Sequence, residues 1–412
     1  MNREKPELLA PAGDQEKLEM ALLYGADAVY LGGPAYGLRS SSGNFSRDGL
    51  RAAIALTHGQ GKKVYVTVNV YPHNEELAGL SEYLQYLAEI GADAVLISDL
   101  GVFSLARETV PSLPIHISTQ ANTVNWAAVE AWHKLGAARV VLAREMSRDE
   151  IREARRHTSA ALEMFVHGAM CISYSGRCLI SSYLTGRDAN RGSCTHPCRW
   201  RYRLVEEERP GQYFPVEEDA QGTYFFNSKD LCLLPHLPDV IESGVDSLKI
   251  EGRMKSVHYV ASVTKTYRTA IDAYVNDPAH FAVRPEWRAE LDKVSHRAYT
   301  AGFFYGQTGA EDQIYEYASY IQTSVFVGVV EAYDPVTGWG LVEQRNHMKV
   351  GQEIEVFQPK GDTFRQCIEE LQDDEGTPIA AAPHPQQKIR IRMRQPVMAG
   401  AIIRRPLVRE ES

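Results

Sequence analysis

The chain has 412 residues, with 44 Lys and Arg against 53 Asp and Glu for a formal net charge of −9, and is 44% hydrophobic and 24% charged. This length can bury a large core and more than one domain, and the acidic balance excludes a globally basic nucleic-acid binder but allows a local basic patch. No apolar run reaches the ~20 residues that span a bilayer, and the stretch before Asp14 is too short in apolar residues for a signal peptide, so the expected location is the cytoplasm, where thiols stay reduced.

The first buried run is Glu7–Gly13, closed by Pro11-Ala-Gly-Asp14. Gly13 there permits a close backbone approach, and Asp14 is placed to cap the following helix. A short phrase then recurs: Gly25-Ala-Asp-Ala-Val-Tyr-Leu31, Gly91-Ala-Asp-Ala-Val-Leu-Ile97, Gly136-Ala-Ala-Arg-Val-Val-Leu142 and Gly244-Val-Asp-Ser-Leu-Lys-Ile250. Each copy follows an amphipathic stretch and enters an apolar run. Gly ends a helix and the run forms a strand buried on both faces. Further runs at Lys63–Asn69, Ile115–Asn122 and Leu162–Gly168 bring the expected strands to about eight in parallel α/β order.

Eight is the number for a TIM-like (β/α)8 barrel, whose active site lies at the C-terminal strand ends. A doubly wound open sheet is the alternative, weakened because no GxGxxG follows the first strand. The barrel's top-face residues by this reading are Asn69, Gln120, Arg144, His167, Lys229 and Asp230. The last strand ends in Lys249-Ile-Glu-Gly-Arg253. Alternation points Lys249, Glu251 and Arg253 one way, as an anion clamp with a proton-handling carboxylate, or as an internal salt-bridge network. His167 is read as an acid or base candidate, with a hydrogen-bonded structural histidine as the alternative. A helix is expected over Tyr259–Val275.

Between the seventh and eighth strands lies a long insertion, about 169–232, with five of the six cysteines: Cys171, Cys178, Cys194, Cys198 and Cys232. They read C-x6-C, then C-x3-C, among Arg177, Arg187, Arg191, Arg199, Arg201 and Arg203, with Asp188 the one acid before Leu204. Soft ligands on a basic, irregular segment suit an iron–sulfur centre beside an anionic ligand. A four-thiolate zinc site and unmetallated thiols are the alternatives. Tyr174, Tyr183 and Trp200 interleave with the arginines, as suits an unstacked base and its phosphates.

From about Thr323 the texture becomes short alternating strands, a small all-β barrel domain. In Lys388-Ile-Arg-Ile-Arg-Met-Arg394, Ile389, Ile391 and Met393 point inward, and Lys388, Arg390, Arg392 and Arg394 form an outward basic face. Arg404 and Arg405 extend the basic segment. The expected organisation is a catalytic barrel domain over 1–320 and an RNA-binding β domain over 321–412.

Four segments, LLAPAGDQEKLEMALLYGADAVYLG, HGAMCISYSGRCLISSYLTGRDANRGSCTHPCRW, FFNSKDL and SLKIEGRMKS, together resemble the U32 peptidase family of collagenase-like proteins, and within it the tRNA-hydroxylating branch. The resemblance runs from about Glu7 to Tyr274 and extends to the β domain. It implies a 4Fe–4S cluster, tRNA as partner, and oxygen-independent, prephenate-dependent formation of 5-hydroxyuridine at the wobble position. Relatives act on ribosomal RNA or in ubiquinone synthesis. Carried over by motif, Cys171, Cys178 and Cys194 match three cluster ligands, and the fourth is Cys198, with Cys232 as the alternative. Cys367 is expected to be inert. The substrate contacts expected from the top-face and basic-segment readings are Arg144, Arg177, Arg199, Lys388, Arg390, Arg392 and Arg394. A protease is disfavoured, since HExxH and GxSxG are absent. A non-catalytic RNA-binding protein with structural zinc is the remaining reading.

Overall fold

A computed structural model describes residues 5–37, 44–170, 229–306 and 321–407, with the helix Ile180–Thr185, residues 187 and 195, and four short strands between 204 and 224. The first nine strands labelled here are β1 (Glu7–Pro11), β2 (Ala28–Gly32), β3 (Lys63–Val68), β4 (Ala94–Ile97), β5 (Ile115–Ile117), β6 (Arg139–Val141), β7 (Ala161–Gly168), β8 (Asp230–Cys232) and β9 (Ser247–Ile250). Strands β1 to β7 pair in parallel in sequence order, and β9 pairs with both β1 and β7. Eight parallel strands therefore close into a barrel, which excludes the open-sheet alternative. β8 is antiparallel to β7 and stands outside that closure.

The recurring phrase has a structural reason. Gly25, Gly91, Gly136 and Gly244 all adopt positive φ, between 84° and 105°, which only glycine reaches cheaply and which ends the preceding helix. Two residues on, the aspartate of three copies accepts the backbone N–H of the second residue of a neighbouring strand. Asp27 takes Leu8 at 2.9 Å, Asp93 takes Val64 at 2.8 Å and Asp246 takes Leu162 at 2.7 Å. Ala138 fills this place in the third copy, leaving the contact out.

At the opposite end of the strands the helices begin on side-chain caps. Asp14 accepts from Lys17 for α1 (Gln15–Leu23), as expected, and Ser46 from Gly49 for α2 (Arg47–His58). The expected helix over Tyr259–Val275 is α3 (Val257–Asn276), capped by Ser256. It packs against α1 and β1.

The C-terminal strands are β10 (Ser324–Tyr333), β11 (Trp339–Gln344), β12 (Glu353–Phe357), β13 (Phe364–Cys367), β14 (Leu371–Asp373), β15 (Lys388–Arg392) and β16 (Ile402–Pro406). They form one antiparallel sheet, ordered β13-β12-β16-β10-β11-β15-β14, a half-barrel around Val327, Val342, Ile354, Ile389, Ile391 and Ile403. The inward alternation of Ile389, Ile391 and Met393 is observed.

This sheet docks on α1 and α3. Met20, Tyr24, Val257 and Ala261 pack with Val329, Phe357 and Ile402. The Tyr24 hydroxyl donates to the carbonyls of Phe357 and Gly400 at 2.9 and 3.0 Å. Arg404, read from sequence as part of a basic RNA-facing segment, is instead only 1% exposed at this junction. It pairs with Glu290 at 2.5 Å and Glu355 at 2.6 Å. Alternation alone could not show that the other face of β16 meets the barrel. No helix among the described residues is long and apolar enough to cross a membrane.

Candidate active site

Strand parity divides the barrel interior into layers. Deepest is a charged layer. Arg139 bridges Glu7 at 2.6 Å and Glu163 at 2.9 Å, and Lys249 pairs with Glu163 at 2.8 Å. The Tyr65 hydroxyl donates to Glu7 at 2.7 Å and Ser247 to the same carboxylate at 2.9 Å. Burial pushes the Glu163 carboxyl up, but Lys249 and Arg139 outweigh it and hold it down at about 2. Lys249 is 3% exposed and lies over the Tyr30 ring at 4.4 Å. It is therefore part of the floor, the salt-bridge alternative of the sequence reading, and not of the anion clamp.

Above that floor, at the C-terminal strand ends, two halves differ in character. On one side are neutral groups following β3, β4 and β5. Asn69 donates to Gln120 Oε1 at 2.9 Å, Ser118 donates to the same oxygen, and the Ser98 hydroxyl lies 3.4 Å from it. Tyr71 and Asn122 donate to the Gln120 backbone carbonyl, Asn122 at 3.1 Å. Asn122 itself is in the left-handed region at φ 53°.

The other side is charged. The Arg144 guanidinium stacks on Phe165 at 3.9 Å and lies 3.8 Å from Glu251. Arg253 donates to Asn44 at 2.5 Å. Two glycines make room for Arg253. A Cβ on Gly32 would fall 2.4 Å from its guanidinium, and one on Gly13 would fall 2.2 Å from its carbonyl. The close approach expected at Gly13 is thus to the strand-end backbone of Arg253. Next to Arg144, burial raises the carboxyl of Glu145 above its ordinary range.

His167 does not join this set. Lys249 pairs with Phe165, but Ile250 pairs with His167, so β7 carries a bulge at Val166. One extra residue reverses the parity of everything after it. His167 consequently shares the outward face of Ile250. It is 1% exposed among Tyr259, Tyr267 and Tyr299, and burial depresses its imidazole to about 3. An acid or base role for His167 at the mouth is corrected to a structural one. Asp230 is likewise buried, accepting the Arg297 backbone N–H at 3.1 Å and tying β8 to that segment.

Cys232 pairs in register with His167 on the same outer side. Its thiol, 6% exposed, is pushed up to about 11 by burial. That is the environment of an inert core thiol, not of a readily formed thiolate ligand. Cys171, Cys178, Cys194 and Cys198, with Arg177 and Arg199, lie outside the described residues.

On the β domain, the outward basic face of β15 is partly neutralised by its neighbours. Lys388 pairs with Glu331 and with Glu343, the latter at 2.6 Å, and Arg394 with Glu369 at 3.2 Å. Arg390 donates to the Asp374 carbonyl at 2.8 Å, and Arg392 lies 5.9 Å from the Trp339 ring centroid. Neither has a carboxylate partner among the described residues. Sequence reasoning missed Ser98, Ser118, Phe165 and Asn44. Parity counted along β4, β5 and β7 would have found the first three, but Asn44 sits in a loop without periodicity.

Residues 13–314 match Peptidase family U32, and residues 322–404 match the Peptidase family U32 C-terminal domain. The chain is 42% identical over 402 residues to the tRNA hydroxylation protein P1 of Bacillus subtilis (strain 168), covering 97% of this chain and 95% of that one. It is 38% identical over 421 residues to the tRNA hydroxylation protein P of Escherichia coli (strain K12), covering 92% of each. A 23S rRNA 5-hydroxycytidine synthase of Escherichia coli (strain K12) is 35% identical over 309 residues, 74% of this chain and 46% of that one.

Proposed function

The chain belongs to peptidase family U32, and from that premise we propose that it is an RNA-modifying enzyme that hydroxylates tRNA. The observation that carries this reading is end-to-end similarity to two proteins named for tRNA hydroxylation, through both barrel and β domain. The barrel mouth supports it chemically. Arg144 and Arg253 supply fixed positive charge for phosphate or carboxylate oxygens. Glu251, beside Arg144, is placed to hold or move a proton at its carboxylate. We extend the reading to prephenate as the anionic metabolite, to a reaction without molecular oxygen, and to 5-hydroxyuridine at the wobble position.

A 4Fe–4S cluster belongs to the same proposal. The fit is supported where the cysteine segment leaves the barrel. Gly168 ends β7 at φ 112°, and a Cβ there would lie 2.6 Å from the Glu251 carbonyl. Gly168, three residues before Cys171, therefore lies directly beside Glu251. Cys171, Cys178, Cys194 and Cys198 offer four thiols for the cluster, and the burial of Cys232 behind β7 favours Cys198 over it as the fourth. Bound there, the cluster would supply one-electron chemistry at the mouth.

Nucleoside analysis of tRNA and ribosomal RNA from a strain lacking the gene, with and without complementation, tests the function. Loss and recovery of hydroxylated uridine in tRNA is the expected result. A change confined to hydroxylated cytidine in ribosomal RNA would move the substrate, and no change in either would refute the reading.

A further inference from the structure

The neutral half of the mouth has an arrangement that the anion clamp does not account for. Asn69 Nδ2 and Ser118 Oγ donate to one acceptor, Gln120 Oε1, and the single hydroxyl proton of Ser98 lies between that oxygen at 3.4 Å and the Asn69 backbone carbonyl at 3.3 Å. Two more, Tyr71 Oη and Asn122 Nδ2, hold the Gln120 backbone carbonyl. Asn69, Ser98 and Ser118 share the inner parity of their strands with Tyr65 and His116, whose rings meet inside the barrel at 4.6 Å, and Gln120 sits on the single helical turn Thr119–Ala121 that follows β5. The ring is built from three consecutive strands, β3 to β5. In this arrangement Gln120 turns Oε1 toward Asn69 and leaves Nε2 as the outward atom, and the reverse arrangement requires the Asn69 amide to turn with it. Gln120 is half-buried, and it is its Oε1, not its Nε2, that Asn69 engages.

We propose that Gln120 is a substrate-reading residue whose outward Nε2 donates to a carbonyl oxygen of a pyrimidine base held in the mouth. This rests on the tRNA-hydroxylation reading above. The surroundings favour a base over an anion on this side. The neighbours are amides and hydroxyls, which match the neutral edge of a nucleobase, whereas Arg144 and Arg253 stand on the opposite half and suit phosphate or carboxylate. A donor in this place also discriminates. It donates to the 4-carbonyl of uracil and opposes the 4-amino group of cytosine, because a mismatched buried polar pair leaves both groups unsatisfied.

Two substitutions separate reading from bracing. Gln120→Glu keeps an oxygen for Asn69, Ser98 and Ser118 but removes the N–H donor, whereas Gln120→Leu removes both. A reading role predicts that both variants lose at least ~10-fold in hydroxylated uridine when they complement the deletion strain, with the melting temperature of Gln120→Glu unchanged. A purely bracing role predicts wild-type hydroxylation in Gln120→Glu and loss only in Gln120→Leu, which would overturn the proposal.

Binding of uridine 5′-monophosphate, cytidine 5′-monophosphate and malonate to the purified full-length protein, followed by ligand-detected NMR, gives a readout independent of turnover. Loss of uridine 5′-monophosphate binding in Gln120→Glu with malonate binding kept supports the assignment. Loss of malonate binding with uridine 5′-monophosphate binding kept overturns it in favour of a carboxylate ligand. If the wild type restores no hydroxylated uridine, the function reading fails, and the binding comparison still decides the role of Gln120.

Discussion

Glu163 is 0% exposed and yet is held ionised by Lys249 and Arg139. Its carboxyl sits at about 2 against an ordinary value of ~4.3. A depressed carboxyl stabilises the fold fully above its unfolded value, and that contribution is lost as pH falls toward the folded value. Glu163→Gln, which leaves two buried cations short of a partner, should cost ~3–5 kcal/mol near pH 7. The gap from wild type should narrow as pH falls from about 4.5 toward 2, which denaturant unfolding at several pH values would measure. The cysteines differ in a comparable way. Cys171→Ala and Cys194→Ala should abolish iron loading under anaerobic purification. Cys232→Ala and Cys367→Ala should leave it at the wild-type level, since one thiol is buried behind β7 and the other lies in the β domain. Equal iron in all four variants would remove the ligand assignment.

At the scale of elements, one inserted residue in β7 decides which side chains can do chemistry. Without the bulge His167 would face the mouth, and with it Phe165 is the last inward residue, offering its ring to Arg144. The β15 strand makes the same point through its neighbours. Its alternation was legible in the sequence, but its free charge was not, because Glu331 and Glu343 come from β10 and β11. Arg390→Glu with Arg392→Glu should therefore weaken tRNA binding and lower the salt slope by about 2. Lys388→Gln should change little, because that ammonium is already paired. Titration of tRNA binding against salt checks both, and an unchanged slope in the arginine double variant would move RNA recognition to the barrel.

For the whole molecule, the junction between barrel and half-barrel is crossed by several ion pairs, Lys293–Glu355 and Arg345–Glu16 among them, and Arg404 is the most deeply buried of these cations. Arg404 joins Glu290 of the barrel side to Glu355 of β12, with His258 of α3 at 3.0 Å. Removing the cation takes the two-pronged partner from Glu290, which keeps Lys293 at 3.4 Å, and leaves Glu355 with Lys293 at 2.7 Å and Arg365 at 3.2 Å. Arg404→Ala should destabilise by ~1–3 kcal/mol and loosen the junction, replacing a shared thermal transition with two. Calorimetry would show this, and a single transition at the wild-type temperature would mean the apolar contacts around Tyr24 suffice. The junction also fixes where the β15 arginines stand relative to the mouth, so the same variant should reduce tRNA hydroxylation more than small-ligand binding.

The sequence by itself determined eight buried strands in parallel α/β order, the Asp14 cap and the β domain, because glycine turns, caps and buried apolar runs are local signals, whereas closure of the eight strands into a barrel was decided by the pairing of β9 with β1 and β7. It also carried the cysteine spacing and the family resemblance, which are properties of the chain alone. Only the tertiary structure decided that Lys249 is floor, that His167 faces outward, that Arg404 is interface and that Gln120 turns Oε1 toward Asn69. Each of those depends on which side chains from distant segments share one small volume. A single bulge, a partner carboxylate two strands away or a pair of convergent donors changes the role of a residue without changing its neighbours in sequence.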